Sequence, residues 1–134
     1  SKGAVIKLGG QKPVGKGFFY PPTVLTNVPS DAECLSDEIF GPVAAIQTFS
    51  DEMEIIRRSN ATEYGLVAYV YTSDMKRGMR ISESLEFGMI GLNRGLVSDP
   101  ASPFGGVKQS GLGREGGKEG MLEFQETQYI STEW

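Results

Sequence analysis

Cysteine and histidine, the side chains that most often act as nucleophile and general base, are almost missing from this sequence. The chain contains one cysteine, Cys34, and no histidine. A Ser-His-Asp or Cys-His mechanism contained within the chain is therefore excluded, as are an internal disulfide and a cysteine-rich zinc site. Cys34 lies in an acidic stretch, residues 31–37 (DAECLSD). Because no neighbouring cation favours the thiolate there, we predict that Cys34 is not catalytic.

The remaining candidates for chemistry are oxygen-bearing side chains that could bind a ligand. Glu38 lies two residues before the aromatic Phe40. A glutamate can accept two hydrogen bonds from a ribose diol, which suits a dinucleotide, although a surface carboxylate would look the same in the sequence. Ser98 could donate a hydrogen bond to a substrate carboxylate, which would orient the substrate but neutralise little of its charge. The alternative is an ordinary loop hydroxyl.

Alternating helical and strand patterns indicate the elements that must position these residues. Short β-rich or apolar runs predict strands over residues 4–8, 23–28, 43–49, 66–72 and 89–93. The run 66–72 is continuously apolar and predicts a strand buried on both faces. Helical spacing predicts helices over 51–59 and 75–87, the second capped by Ser73 or Asp74 and ended by Gly88. The alternation favours an α/β fold, a layered sheet with helices, in which part of the sheet is parallel.

A glycine-rich stretch from Gly88 to Gly120 follows these elements. Interleaved apolar residues distinguish it from a flexible linker, so we predict a shaped loop whose backbone approaches other groups closely. The four glycines of its centre fit no P-loop and are interpreted as residues required for backbone geometry; they are Gly105, Gly106, Gly111 and Gly113. A short helix over 116–123 and a strand-like tail over 124–132 are expected next, and such a strand could pair with another chain.

The overall composition excludes several classes of protein. The net charge is -4 and no basic stripe is visible, which argues against non-specific nucleic-acid binding. No apolar run approaches the roughly 20 residues that cross a bilayer, and no signal-peptide pattern precedes the first strand. We therefore expect a cytoplasmic domain that binds neither nucleic acid nor membrane and holds no metal.

Three stretches together closely resemble the C-terminal part of the aldehyde dehydrogenase superfamily. They are residues 37–43 (DEIFGPV), 59–66 (SNATEYGL) and 103–115 (PFGGVKQSGLGRE). The resemblance covers essentially the whole chain. It implies that residues 1–122 form the C-terminal half of the catalytic domain, and that 123–134 form a strand-like oligomerisation arm of a dimeric or tetrameric homo-oligomer.

The resemblance also implies what lies outside this chain. In the family a cysteine thiolate attacks the aldehyde, hydride passes to NAD or NADP, and an activated water hydrolyses the thioester. The nucleophile lies several tens of residues before the stretch 37–43, and the general base and the dinucleotide-binding domain lie further upstream. We therefore expect no catalytic residue in this chain and no activity from it in isolation, where it would be a structural or assembly module.

The resemblance assigns roles to particular positions. Glu38 matches the glutamate that holds the nicotinamide ribose, and Phe40 matches the aromatic residue beside the nicotinamide. Phe104 matches an aromatic of the substrate tunnel, with a core anchor for the loop as the alternative. Glu115 matches a glutamate near the route of the catalytic water and is a possible proton relay, with a helix-start ion pair as the alternative.

The segment 91–98 (GLNRGLVS) narrows the resemblance to the succinate-semialdehyde dehydrogenases. It implies that Ser98 binds the distal carboxylate of succinate semialdehyde, with arginines from other segments helping. A dehydrogenase for another small aldehyde is the alternative.

Overall fold

The computed structural model describes residues 3–134, which form two compact units that meet in sequence between Glu52 and Met53. Together they contain helices and both parallel and antiparallel strands, which confirms the α/β class. Of the helices in the described residues, none is long and apolar enough to cross a membrane.

The first unit is built on a three-stranded sheet. Its strands are β1 (Val5–Leu8), β2 (Thr23–Thr26) and β3 (Val43–Ala45), with a 3-10 turn at Glu33–Leu35 between the last two. β1 pairs antiparallel with β2, and β2 pairs in parallel with β3. Thr23, at the start of the central strand, is only 4% exposed.

The third strand is shorter than the predicted range of 43–49. Its ladder ends where the amide of Ile46 donates to the Leu25 carbonyl at 2.9 Å. Two residues later in the partner strand, Asn27 adopts a left-handed φ of 52° and turns the chain away. The strand therefore ends because its neighbour leaves, which no local pattern in 43–49 records.

The second unit contains seven short elements. In chain order they are α1 (Glu52–Asn60), β4 (Tyr64–Gly65), β5 (Val67–Val70), α2 (Met75–Ser84), β6 (Met89–Leu92), β7 (Val107–Lys108) and α3 (Gly117–Leu122). β5 and β6 pair in parallel with α2 as their connection, and α2 packs against both strands. The prediction that part of the sheet is parallel is thereby confirmed. β4 pairs separately, with β7.

The expectation that the strand at 66–72 is buried on both faces is wrong for this chain. Val70 is buried, but Tyr69 is 45% exposed and Leu66 is exposed as well. α2 packs against the strand but leaves much of it accessible. The continuous apolar run therefore correctly predicted a strand while overstating how completely this chain covers it.

Helix α2 begins as predicted and ends early. The Asp74 side chain accepts a hydrogen bond from the amide of Arg77 at 3.1 Å, which caps the first turn. Leu85 already has extended backbone angles, so the last helical residue, Ser84, lies four residues before Gly88. Gly88 is therefore not a cap; its amide instead donates to the Gly65 carbonyl at 2.9 Å.

The tail after α3 forms no strand within the described chain, contrary to the pattern at 124–132. Its large side chains are exposed, with Phe124 at 93% and Trp134 at 109% of full accessibility. A strand needs a hydrogen-bonding partner, and no strand within residues 3–134 pairs with the tail.

Candidate functional site

The loop that carries Glu38 and Phe40 belongs to the first unit and precedes β3. Two consecutive three-residue turns shape it: the Gly41 amide donates to the Ile39 carbonyl at 2.9 Å, and the Val43 amide donates to Gly41 at 2.8 Å. The Phe40 ring is 96% exposed, and Glu38 is exposed beside it. A carboxylate that accepts hydrogen bonds and a free aromatic face are thus presented together.

This loop is anchored to the sheet at one point. The Thr23 amide donates to the Pro42 carbonyl at 2.8 Å, immediately before the parallel pairing of Thr23 with Val43 begins. The Thr23 hydroxyl accepts from the Gly10 amide at 2.9 Å and donates to the Pro21 carbonyl at 3.0 Å. The buried threonine therefore ties three chain segments together beneath the loop.

Cys34 occupies the 3-10 turn and is half-buried. The Ser36 hydroxyl next to it lies 3.1 Å from the Glu33 carbonyl and 3.2 Å from a carboxylate oxygen of Asp37. Its neighbours in the chain include the carboxylates of Glu33 and Asp37.

In the second unit, the loop 94–103 leaves the carboxyl end of β6. Its parallel neighbour β5 ends at the same edge, and in open α/β sheets ligands bind at this edge. Ser98 is exposed on the loop. A turn follows it, in which the amides of Ala101 and Ser102 donate to the Asp99 side chain and carbonyl at 2.9 and 3.0 Å.

Phe104 and Glu115 lie directly opposite each other. They form an antiparallel bridge in which each amide donates to the other residue's carbonyl at 2.7 Å. The structure thereby brings two of the predicted site residues together and closes the loop 104–115 into a hairpin, here called the glycine hairpin. The Glu115 side chain is exposed, while Phe104 is half-buried.

The Arg114 side chain joins the two arms of the glycine hairpin. One of its guanidinium nitrogens, Nη1, donates to the carbonyls of Gly106 at 2.7 Å and Gly113 at 2.6 Å, one on each arm. A carboxylate oxygen of Glu123 accepts from the Arg114 amide at 3.2 Å. Beside the hairpin lies a groove of about 550 Å³ whose lining includes Leu66, Phe104, Arg114, Glu115, Glu123 and Phe124.

The glycines of the hairpin are needed for backbone geometry, as the sequence indicated. Gly111 and Gly113 have φ values of 97° and 88°, which side chains rarely adopt. A β-carbon on Gly105 would lie 2.5 Å from the Gly113 carbonyl oxygen, and one on Gly106 would lie 2.6 Å from Ser110.

Lys108 is an anchoring residue that sequence reasoning missed. Its Nζ donates to the carbonyls of Asn60 at 2.8 Å and Thr62 at 3.2 Å, and it pairs with the Glu86 carboxylate at 2.8 Å. The side-chain Nδ2 of Asn60 in turn donates to the Ser84 carbonyl at 2.8 Å. These contacts join β7 to the ends of both helices across more than 20 residues of sequence, so no local signal could have revealed them.

The predicted site residues therefore fall into two groups. Glu38 and Phe40 share one loop of the first unit. In the second unit, Phe104 and Glu115 form a bridge, and Ser98 precedes them on the same connection. Among the described residues, no cluster of three or more acidic, cysteine or histidine side chains could hold a metal ion.

Comparison with known proteins gives consistent matches over nearly the whole chain. Residues 1–130 match the model of the aldehyde dehydrogenase family. A succinate-semialdehyde dehydrogenase of Paenarthrobacter nicotinovorans is 56% identical over 128 residues, which are 96% of this chain and 28% of that protein. A glutarate-semialdehyde dehydrogenase of Pseudomonas aeruginosa is 48% identical over 97% of this chain and 27% of that protein.

Solved structures agree with the sequence matches. The crystal structure of a succinate-semialdehyde dehydrogenase from Burkholderia pseudomallei superimposes with a TM-score of 0.85 at 49% identity, over 92% of this chain and 26% of that one. The chain thus spans little more than a quarter of the length of these relatives.

Proposed function

Because the chain belongs to the aldehyde dehydrogenase family, we propose that it is part of an NAD(P)-dependent enzyme that oxidises succinate semialdehyde to succinate. The observation that carries this proposal is the exposed Ser98 at the carboxyl edge of β5 and β6, on a loop held at both sides. The relatives named for semialdehydes that end in a carboxylate support the same substrate class.

In this reaction the aldehyde carbon loses a hydride and gains an oxygen from water. When bound, NAD(P)+ supplies the hydride acceptor. We assign the nucleophile to a cysteine outside these 134 residues, because Cys34 lies half-buried in an acidic 3-10 turn. The residues of this chain bind and orient: Glu38 and Phe40 toward the cofactor, and Ser98 and Phe104 toward the substrate, with Glu115 as a proton relay.

The cofactor assignment fits the exposed pair in the first unit. A ribose diol can donate two hydrogen bonds to the Glu38 carboxylate, and the free face of Phe40 can contact the nicotinamide ring. The two turns at Ile39–Val43 fix the backbone between these side chains.

Glu38→Gln is expected to raise the KM for NAD(P)+ in the full-length enzyme by about tenfold, because an amide oxygen accepts more weakly than a carboxylate. The aldehyde KM should change little. Glu33→Gln is the matched control, since Glu33 is an exposed glutamate of the neighbouring 3-10 turn. Steady-state kinetics and a cofactor titration would decide the question; equal cofactor affinity in both variants would refute the ribose contact.

Ser98→Ala is expected to raise the KM for succinate semialdehyde by about tenfold with a kcat within about threefold, as for the loss of one hydrogen bond to a charged group. The KM for butanal, which lacks the carboxylate, should stay nearly constant. Ser102→Ala is the control, since this serine lies on the same loop. Equal changes for the two aldehydes would contradict a carboxylate contact by Ser98.

A semialdehyde that is longer by one methylene is the second candidate substrate. The similarity to a glutarate-semialdehyde dehydrogenase favours it. The distal carboxylate of this longer substrate would accept a hydrogen bond from the same Ser98. A methylene changes the free energy of binding by about 1–3 kcal/mol in a fitted pocket. The ratio of kcat/KM for the two semialdehydes therefore separates the candidates.

We further propose that residues 123–134 are an oligomerisation arm. The tail has no strand partner in the described chain, and its aromatic and aliphatic side chains are exposed. An extended segment of this kind can add a strand to a sheet of another copy, which would cover its apolar face and satisfy its backbone groups.

A further inference from the structure

Asn93 occupies the point at which the two parallel strands of the second unit end. Its amide donates to the Val70 carbonyl at 2.8 Å, which is the last backbone bond between the strands. Its side chain then brackets Thr72: Oδ1 accepts from the Thr72 amide at 2.9 Å, and Nδ2 donates to the Thr72 carbonyl at 2.8 Å. Both polar atoms of the side chain are thus bonded to the backbone of Thr72, just beyond the end of β5.

The backbone of Asn93 also redirects the chain. Its φ of 53° lies in the left-handed region, which asparagine adopts more readily than most residues. After this turn the chain folds back over its own strand. The close approach is shown by Val97, whose Cγ1 would lie 3.0 Å from a β-carbon on Gly91. The same β-carbon would lie 2.5 Å from the Tyr69 ring, so Val97 and Tyr69 both sit against Gly91.

Ser98 is therefore placed between two anchored neighbours. Val97 is half-buried against Gly91 on one side. On the other side, Asp99 forms its turn, and the following Pro100 accepts a hydrogen bond from the Gly117 amide at 3.0 Å. The left-handed backbone of Asn93 sets the direction in which the loop starts. A different direction would move Val97 away from Gly91.

We propose that Asn93 is a positioning residue for substrate specificity: it locks the start of the loop and thereby places the Ser98 hydroxyl. The inference rests on the proposed function of Ser98. The simpler alternative is that asparagine is present only because it tolerates a positive φ. Glycine at this position would keep the positive φ and lose both side-chain hydrogen bonds to Thr72. Aspartate would keep the acceptor for the Thr72 amide and lose the donor to the Thr72 carbonyl.

The test compares three variants of the full-length enzyme, Asn93→Gly, Asn93→Asp and Asn27→Gly. Asn27 is the matched control, because it follows a parallel strand with a φ of 52° but lies in the first unit. Asn93→Gly is expected to raise the KM for succinate semialdehyde about tenfold, as for loss of the Ser98 contact, with a nearly constant kcat and a nearly constant KM for butanal. Asn93→Asp should lie between Asn93→Gly and the wild type, and Asn27→Gly should match the wild type.

Two outcomes would overturn the inference. One is an Asn93→Gly enzyme as specific for succinate semialdehyde as Asn27→Gly, which would leave φ tolerance as the only role. The other is an equal rise in KM for both aldehydes, which would indicate a general structural effect.

Hydrogen exchange separates this inference from the proposed function. If the wild-type enzyme does not oxidise succinate semialdehyde, the proposed function fails, but the positioning role can still be measured. Asn93→Gly should then speed exchange at the amides of Thr72, Ala101 and Gly117, each of which is bonded in or through this loop. Unchanged exchange at these amides would refute the positioning role in either case.

Discussion

Gly88→Ala should lower the free energy of unfolding by about 3 kcal/mol or more, at the upper end of the cost of overpacking. The added β-carbon would lie 2.7 Å from Gly106 Cα and 2.8 Å from the carbonyl carbon of Gly105. Both are backbone atoms, so no side chain can rotate away. The Gly88 amide is itself bonded to the Gly65 carbonyl at 2.9 Å, which holds this segment in place.

Chemical denaturation of the full-length protein would measure this effect. Gly95→Ala is the control in the same unit, because a β-carbon there meets only the Tyr71 hydroxyl at an ordinary 3.5 Å. Gly88 has no positive φ, so the expected loss is purely steric. Equal unfolding midpoints for the two variants would show that the glycine hairpin can move away from Gly88.

Arg114→Met is expected to cost about 2–4 kcal/mol, because it removes two hydrogen bonds from a charged donor and leaves two carbonyls without that partner. The methionine keeps much of the length and apolar stem of the arginine. The bridge between Phe104 and Glu115 closes the same hairpin, so its amides should exchange faster once the guanidinium is gone.

The control for this variant is Arg57→Met on the exposed surface of α1. It removes the same charge without touching the hairpin, so it should change stability by no more than about 0.5 kcal/mol, as is usual for surface substitutions. A similar loss in both variants would mean that Arg114 contributes through net charge rather than by joining the two arms.

Local signals in the sequence predicted the parts of the fold that depend on local interactions. Asp74 marked the start of α2 because its side chain caps the turn that immediately follows. The apolar run at 66–72 marked β5, and the alternation of elements indicated that part of the sheet is parallel, as β5 and β6 are. These features need no knowledge of distant residues, which is why periodicity and capping were sufficient.

The features that sequence reasoning missed depend on distant partners. β4 pairs with β7 across more than 40 residues, and Lys108 adopts a φ of 57° while its ammonium contacts Asn60 and Thr62. The tail at 124–132 has the pattern of a strand but pairs with no strand in the part of the chain that the structure describes. The residue pattern of a segment therefore indicates a preference for extended structure, whereas the formation of a strand also needs a second strand to pair with.

The same distinction applies to the candidate site. The motif at 103–115 identified Phe104 and Glu115 as candidates, but not that their backbones pair directly. The segment 91–98 drew attention to Ser98, while Asn93, five residues earlier, was predicted only as the last residue of the strand 89–93. A residue that works by holding its neighbours leaves little trace in residue type and spacing alone.

The two hydrogen bonds from the Asn93 side chain to the Thr72 backbone continue the pairing of β5 and β6 beyond the point at which their backbones separate. The two side-chain bonds, at 2.9 and 2.8 Å, match the last backbone bond at 2.8 Å. The strands are thus held at normal spacing while the chain beyond Asn93 is free to diverge. The separation of the two chain segments just beyond this edge is consequently set by the length of one asparagine side chain, so a longer amide such as glutamine would alter it directly.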